Sequence, residues 1–178
     1  MIKAIDTLGA EALTGKTLLM RVDFNCPLQK GKVADATRID RIMPGIMALL
    51  YKGAGIILLS HLGRPKGKVV PEMSLAPVAA YIEEHFDVSL PLIADLDGLS
   101  QPGAGQMILL ENLRFWPEEE ANHTGFAENL AKYGAFYVND AFSCSHRAHA
   151  SICEIPKFLP SFSGLQLDLE VNALNKIT

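Results

Sequence analysis

The stretch Thr17-Leu-Leu-Met-Arg-Val-Asp-Phe-Asn25 decides the fold, because a run of mostly apolar residues changes abruptly into a polar segment. Comparable apolar runs occur at residues 55–59, 90–93, 107–110 and 135–138. Most of these runs are nearly continuous in Leu, Ile and Val, which is typical of strands that are buried on both faces. The pattern therefore predicts a parallel β-sheet.

Segments with helical spacing separate the apolar runs. Helices are predicted from Asp35 to just before Gly53, at 74–86 and at 124–133. Alternating strands and helices with short connections predict an α/β fold, a three-layer, doubly wound and mostly parallel sheet with helices on both faces. Residues 165–178 also have roughly helical spacing but reach the end without a stop signal, so we expect the natural chain to continue.

The composition of the 178-residue chain limits the classes of protein to which it can belong. Sixteen basic and twenty acidic residues give a formal net charge of -4, so no general basic field attracts nucleic acid. The sequence has no run of eighteen apolar residues for a membrane span and no N-terminal apolar stretch long enough for a signal peptide. Three cysteines cannot all pair within the chain, so we expect a reducing cytoplasm.

Four arginines lie just beyond predicted strands or at the start of a predicted helix: Arg38, Arg64, Arg114 and Arg147. The carboxyl ends of strands are where open α/β sheets bind their ligands. A guanidinium is a planar group that matches phosphate or carboxylate oxygens with two hydrogen bonds. We therefore predict that these side chains gather at one edge of the sheet and form a pocket for a small polyanion.

The segment 60–65, Ser-His-Leu-Gly-Arg-Pro, adds further candidates at the end of a strand. His61 and Arg64 flank a glycine, which lets the main chain approach a ligand closely, and the amides of Leu62 and Gly63 are candidate donors. A single histidine in this place is more often structural. Its combination with Gly and Arg favours a ligand site.

Other polar residues near the predicted site each allow two interpretations. Asp23 and Asn25 lie on the same side of the chain and suit a ligand hydroxyl group, although such residues are also common in turns and caps. Arg38 lies in the first turn of its helix, where a positive charge is unfavourable, so a partner is expected. Acidic residues close in sequence are the alternatives to an anionic ligand: Asp35 and Asp40 for Arg38, and Glu111 and Glu118 for Arg114.

Two further motifs suggest functions that their context disfavours. Residues 10–17 resemble the phosphate loop of nucleoside triphosphatases, but that loop needs a strand before it and a helix after it, and a strand follows here. Residues 144–153 contain two cysteines and two histidines, yet the histidines are closer together than in a zinc finger, and Arg147 lies between them. We therefore expect no metal site in this chain.

Taken in order, several motifs resemble those of the phosphoglycerate kinase family. They are Arg-Val-Asp-Phe-Asn at 21–25, Thr-Arg-Ile at 37–39, Ser-His-Leu-Gly-Arg-Pro at 60–65, Ser-Leu-Ala-Pro-Val-Ala at 74–79, Leu-Leu-Glu-Asn-Leu-Arg-Phe at 109–115 and His-Arg-Ala-His-Ala-Ser at 146–151. The resemblance extends from about Leu8 to the end of the chain and corresponds to the amino-terminal half of that two-domain enzyme.

The resemblance implies reversible phosphoryl transfer from 1,3-bisphosphoglycerate to MgADP, which yields 3-phosphoglycerate and MgATP in glycolysis. Residues 1–164 would form the domain that binds 3-phosphoglycerate, and residues 165–178 would begin the interdomain helix. The nucleotide-binding domain, which holds Mg-ATP or Mg-ADP in the family, has no counterpart in this sequence. It would therefore be a required partner, and this chain alone is expected to bind 3-phosphoglycerate without turnover.

The resemblance also implies a role for each candidate residue. The positions that bind the non-transferred 3-phosphate are matched by His61, Arg64, Arg114 and Arg147, with Leu62 and Gly63 beside them. Those that contact the C2 hydroxyl and the carboxyl end are matched by Asp23 and Asn25. Arg38 matches the catalytic arginine beside the transferring group.

Three positions depart from the family pattern: Cys26, Ser143 and Trp116. None of them removes a ligand-binding side chain. Ser143 stands where the family usually has Gly, so we expect it to stiffen or reshape the turn before Arg147. The alternative functions are a non-catalytic domain that binds a phosphorylated ligand and, with less support, a P-loop hydrolase that uses Lys16 for phosphate.

Overall fold

A seven-stranded parallel sheet forms the centre of the computed structural model, which describes residues 2–177. The strands are β1 (Lys3–Ala4), β2 (Thr17–Arg21), β3 (Leu28–Gln29), β4 (Lys32–Val33), β5 (Gly55–Leu59), β6 (Leu92–Ile93), β7 (Met107–Leu110), β8 (Phe136–Asn139) and β9 (Ser161–Ser163). Strand order in the large sheet is β1-β9-β8-β2-β5-β7-β6, with every pair parallel. Strands β3 and β4 form a separate antiparallel hairpin.

Helices cover the connections between these strands. They are α1 (Ala10–Leu13), α2 (Thr37–Tyr51), α3 (Ala76–Phe86), α4 (Pro117–Glu120), α5 (Thr124–Ala131) and α6 (Leu165–Asn175). Short 3-10 segments at Leu113–Phe115 and Phe142–Cys144 and a π-helical turn at Ala150–Glu154 follow strands β7 and β8. Within the described part of the chain, no helix has both the length and the hydrophobicity to cross a membrane.

Neighbouring residues of the central strand β2 point into two separate cores. Leu18 packs in a cluster with Ile42 of α2 and Val78 of α3, whereas Leu19 packs in a second cluster with Leu130 of α5. Because successive side chains of a strand point to opposite faces, the sheet is covered by helices on both sides. This arrangement confirms the predicted three-layer α/β fold.

Most predicted elements are present with shorter bounds. The helix expected from Asp35 begins at Thr37, because Asp35 Oδ1 accepts the Thr37 N–H at 2.9 Å just before the helix. It ends before Gly53, whose φ of 85° requires the left-handed conformation that glycine adopts easily. Of the predicted strand 90–93, only Leu92–Ile93 pairs with β7.

A buried carboxylate holds the amino end of α6. Asp140 follows β8, is 2% exposed, and accepts the Leu167 N–H at its Oδ1 at 2.8 Å. Burial raises the pKa of Asp140 to about 6, although the hydrogen bond from Leu167 acts in the opposite direction. The rise in pKa caused by burial of this carboxylate is therefore larger than the fall caused by the N–H groups that donate to it from the helix.

Replacing Asp140 with Asn is expected to stabilise the fold at neutral pH. The folded-state pKa of about 6 lies above the ordinary value of 3.8, so the folded state binds the proton more tightly. Ionisation of Asp140 in the folded state therefore lowers the free energy of unfolding as the pH rises from about 4 to about 6. We expect the gain in the free energy of unfolding to grow over this interval and to reach about 3 kcal/mol at pH 8.

Chemical denaturation at several pH values measures this gain. Asp97→Asn is the matched control, because Asp97 is exposed and its replacement makes the same chemical change at the surface. If Asp140→Asn were less stable than the parent at pH 8, the ionised carboxylate would be stabilising the helix end, and the assigned desolvation cost would be wrong.

Candidate functional site

The candidate site lies at the carboxyl edge of the sheet, where β2, β5, β7 and β8 end. From β2 the chain proceeds to β5 on one side, and it later returns from β7 to β8 on the other side of β2. Open α/β sheets bind ligands at such switch points, because the loops diverge there and leave a crevice. Residues from the segments that follow these four strands surround one cavity at this edge.

This cavity has a volume of about 200 Å³. Its lining consists of Asp23, Asn25, Arg38, His61, Gly63, Arg64, Arg114, Ser143, Cys144 and Arg147. Eight of the nine predicted site residues are in this set, including the four arginines. The ninth, Leu62, is 5% exposed and packs in the core, so its side chain takes no part in the cavity.

Two of the four arginines have acidic partners, but these are not the neighbours in sequence that were considered. Arg38 Nη1 lies 2.9 Å from Asp23 Oδ2, and Arg114 Nε lies 3.4 Å from Glu120 Oε1. The alternative partners considered for these arginines are therefore wrong: Asp35 and Asp40 do not pair with Arg38, and Glu111 and Glu118 do not pair with Arg114.

The other two arginines leave the cavity with uncompensated positive charge. Across residues 2–177, neither Arg64 nor Arg147 forms an ion pair with a carboxylate. Both side chains are exposed and line the cavity. The cluster is therefore not a set of structural salt bridges, and its charge is available to an anion.

Arg114 is the most buried of the four arginines, with a side-chain exposure of 9%. Its Nη1 donates to the Gly63 carbonyl at 2.9 Å. Burial lowers the pKa of Arg114, because the charged form loses hydration. An anionic ligand in the cavity would replace part of that lost hydration with charge-assisted hydrogen bonds.

Hydrogen bonds hold the segment 60–64 against the end of β2. Ser60 Oγ accepts the Phe24 N–H at 2.9 Å, and Asn25 Oδ1 accepts the Gly63 N–H at 3.0 Å. The Gly63 amide is thus occupied within the protein, which corrects the prediction that it donates to a ligand. Gly63 has a φ of 62°, so its main chain adopts a conformation that favours glycine.

A buried asparagine that sequence reasoning missed joins the loops around the cavity. Asn112 is 0% exposed, and its Nδ2 donates to the carbonyls of Leu62 and Met73 at 2.7 and 2.9 Å. Its Oδ1 accepts the Arg114 N–H at 3.1 Å. One side chain therefore sets the position of the 60–64 segment relative to the main chain of Arg114.

The histidine of the site is buried against an arginine that was not among the candidates. His61 is 4% exposed, and its Nδ1 lies 2.9 Å from Nη2 of Arg21. Burial first, and then the positive charges of Arg21 and Arg114, lower the pKa of His61 to about 2, so the ring is neutral at physiological pH. The available signal in the sequence was the presence of a charged residue within the apolar run 17–22.

Ser143 and Cys144 also belong to the cavity and were not predicted as site residues. The Ser143 hydroxyl donates to Asp23 Oδ2, the oxygen that Arg38 also contacts. Cys144 Sγ lies 3.9 Å from Nδ1 of His61. Ser143 is not among the residues with positive φ, so a side chain at this position strains the turn no more than Gly would.

The motif that resembles a phosphate loop takes no part in this site, whereas Cys144 and Arg147 of the segment 144–153 line the cavity. Lys16 precedes β2 and therefore lies at the amino edge of the sheet, opposite the cavity. Residues 10–17 contain the short helix α1 and run directly into β2, without the strand–loop–helix arrangement of a phosphate loop. Among residues 2–177, no group of three or more His, Cys, Asp or Glu side chains is arranged to hold a metal ion.

Fold and site together define a class of protein, an α/β domain with an arginine-rich anion cavity at the carboxyl edge of its sheet. A family model described as phosphoglycerate kinase matches residues 8–178. The chain belongs to the phosphoglycerate kinase family.

Curated relatives and solved structures agree with this membership. The chain is 49% identical over 176 residues to the phosphoglycerate kinase of Bartonella bacilliformis, covering 96% of this chain and 44% of the relative. For the phosphoglycerate kinase of Herpetosiphon aurantiacus the identity is 48%, with 96% and 45% covered. The solved phosphoglycerate kinase of Coxiella burnetii superposes with a TM-score of 0.91 at 36% identity, over 99% of this chain and 45% of that one. The chain thus spans less than half the length of these relatives.

Proposed function

We propose that this chain is the acceptor-substrate half of a phosphoglycerate kinase, in which residues 1–164 bind 3-phosphoglycerate and residues 165–178 begin the interdomain helix. The observation that carries this proposal is the convergence of four arginines on one cavity in which two of them have no acidic partner within residues 2–177. A small ligand with two anionic ends provides the opposite charges that this cavity lacks.

The distribution of the arginines supports a ligand with a distal phosphate and a reacting end. Arg64, Arg114 and Arg147 also line a neighbouring cavity of about 350 Å³, whereas Arg38 lines a different neighbour of about 180 Å³ together with Glu170 of α6. The three arginines would hold the 3-phosphate. Arg38 would lie at the other end, on the side of α6, where the carboxylate accepts or releases its phosphoryl group.

The side chains between these ends fit the middle of the same ligand. Asp23 and Asn25 would contact the C2 hydroxyl and the carboxyl end, and His61 would contact the phosphate. Phosphoryl transfer leaves little covalent work to the protein and depends on in-line positioning and on cancellation of the charge on the transferring group. Arg38 is 53% exposed, so it is accessible to a second domain that brings the nucleotide.

The nucleotide half is the partner that this proposal requires. The reaction would transfer a phosphoryl group from 1,3-bisphosphoglycerate to MgADP, and the Mg-ATP or Mg-ADP site is assigned to the other half. The chain would then bind 3-phosphoglycerate without turning it over. As a glycolytic enzyme, the complete protein would work in the cytoplasm.

Binding of 3-phosphoglycerate to the chain tests the proposal, and Arg64→Ala is expected to weaken this binding at least tenfold. Arg64 is exposed and has no acidic partner in the described residues, so its replacement removes a ligand contact with little effect on stability. Titration calorimetry with 3-phosphoglycerate measures the dissociation constant. Lys16→Ala is the control of equal charge, because Lys16 is exposed and lies at the opposite edge of the sheet.

The titration has outcomes that decide against the proposal. No heat with 3-phosphoglycerate at millimolar concentration would exclude the assigned substrate. Equal weakening by Lys16→Ala and Arg64→Ala would show a general charge effect instead of a site. To separate a kinase from a non-catalytic binding domain, the chain is mixed with the carboxy-terminal half of a relative, and absence of ATP formation would favour the binding domain.

A further inference from the structure

A chain of buried polar side chains lies behind the cavity, and it begins at Arg21. This arginine is 0% exposed in the central strand β2. Its guanidinium makes three contacts: Nε donates to Ser151 Oγ at 2.9 Å, Nη1 donates to the Val22 carbonyl at 2.6 Å, and Nη2 lies 2.9 Å from Nδ1 of His61. Buried arginines are rare unless they are paired, so this position needs a compensating charge.

The acidic side chain of Glu119 is linked to Arg21 through Ser151. Burial raises the pKa of its carboxyl group, and the positive charge of Arg21 acts in the opposite direction. The Ser151 hydroxyl donates to Glu119 Oε1 at 2.7 Å, and the Ser151 N–H donates to the same oxygen at 3.1 Å. Both residues are 0% exposed. A continuous path of hydrogen bonds therefore runs from Glu119 through Ser151 to Arg21 and ends at the ring of His61.

The direction of the last hydrogen bond is determined by chemistry. A guanidinium has donors and no acceptor, so Nδ1 of His61 must accept the hydrogen of Arg21 Nη2. Cys144 Sγ, 3.9 Å from the same nitrogen, is also able to donate to it. A neutral imidazole carries one hydrogen, and it must then be on Nε2.

We propose that Arg21, held by Ser151 and Glu119, is a positioning residue that restricts His61 to the tautomer with its hydrogen on Nε2. This inference rests on the proposed function, because a phosphate in the cavity needs donors and the opposite tautomer would present a lone pair to its oxygens. The hydrogen-bond path from Glu119 through Ser151 and Arg21 to His61, here called the relay, makes His61 a donor without giving it a charge.

The surroundings of His61 support a ring that stays neutral. Burial lowers the pKa of its imidazole to about 2, and the neighbouring basic groups Arg21, Arg114, His149 and Arg38 act in the same direction. Protonation would place a second hydrogen on Nδ1, directly against Nη2 of Arg21. The contribution of His61 to anion binding is therefore expected to be constant between pH 5 and pH 8.

Nitrogen-15 spectra of the histidine rings test the inference without any ligand. In the parent chain, His61 is expected to show one tautomer, with Nδ1 unprotonated. In Arg21→Met, we expect a mixture of the two tautomers and protonation of the ring at a higher pH than in the parent. Tyr137→Phe is the control, because the buried Tyr137 hydroxyl has no hydrogen-bond partner among residues 2–177.

Two further variants keep the test decisive if Arg21→Met alone fails to fold. Arg21→Met combined with Glu119→Gln removes both buried ionisable side chains together and is expected to show the same tautomer mixture. Ser151→Ala interrupts the path without touching His61 and is expected to shift the tautomer ratio by less. A hydrogen on Nδ1 in the parent, or one unchanged tautomer in all these variants, would overturn the inference.

A titration with 3-phosphoglycerate separates this inference from the proposed function. We expect about tenfold weaker binding for Arg21→Met and an unchanged dissociation constant for Tyr137→Phe. If the parent shows the expected tautomer but does not bind 3-phosphoglycerate, the assigned substrate is wrong and the relay stands. If the parent binds while His61 populates both tautomers, the relay is wrong and the substrate stands.

Discussion

Arg38→Met is expected to lower kcat about a hundredfold or more while changing the KM for 3-phosphoglycerate less than threefold. In the proposed site, Arg38 lies beside the transferring group and not beside the distal phosphate, so its charge acts mainly when negative charge is redistributed in the transition state. Losing one such donor typically costs about 3 kcal/mol. The assay uses this chain joined to the carboxy-terminal remainder of the Bartonella bacilliformis relative.

Lys16→Met is the control of equal charge for this experiment. Lys16 is exposed and lies at the amino edge of the sheet, opposite the arginine-lined cavity. We expect its kcat to stay within a factor of three of the parent. If Arg38→Met instead raised KM with an unchanged kcat, Arg38 would bind the ground state, and its catalytic role would be wrong.

Asn112→Ala is expected to lower the free energy of unfolding by about 3 kcal/mol. The side chain is completely buried and bonds to three main-chain groups, the carbonyls of Leu62 and Met73 and the N–H of Arg114. Each buried polar group left without a partner costs about 1–3 kcal/mol. Denaturation by urea measures the loss.

Asn129→Ala is the control for Asn112→Ala. Asn129 is exposed on α5 and accepts a single hydrogen bond from Lys132, so its replacement is expected to change stability by no more than about 0.5 kcal/mol. Because Asn112 also aligns Arg114, we expect its variant to bind 3-phosphoglycerate more weakly even where it remains folded. Equal stability of the two variants would show that water satisfies the groups around residue 112.

The central part of the fold was predictable because its strands are long and apolar on both faces. The runs at 55–59 and 107–110 carry that pattern without interruption, and the run at 17–22 carries it up to Arg21. The two strands at one edge of the sheet were not predicted, since β1 has two residues and β9 alternates serine with phenylalanine. Such strands form because their main chain pairs with a neighbouring strand. This pairing leaves no pattern in the local sequence.

The site residues that directly follow strands were predictable from the sequence. The contacts between residues that are far apart in the sequence were not. Arg38, Arg64, Arg114 and Arg147 were found by their positions alone, and the structure brings them together. The acidic partner of Arg38 was missed, because Asp23 is fifteen residues away in the sequence and only the folded chain makes the two neighbours. Arg21 was missed because its contact with His61 joins residues that are forty positions apart in the sequence.

The two unpaired arginines of the cavity have a kinetic consequence. The chain as a whole carries a formal charge of -4, so an approaching polyanion is repelled at long range and attracted only near the cavity. At physiological ionic strength the Debye length is about 8 Å, which confines that attraction to the last stage of the encounter. Added salt should therefore slow ligand capture only modestly, while sulfate and phosphate buffers should occupy the cavity and compete with the ligand.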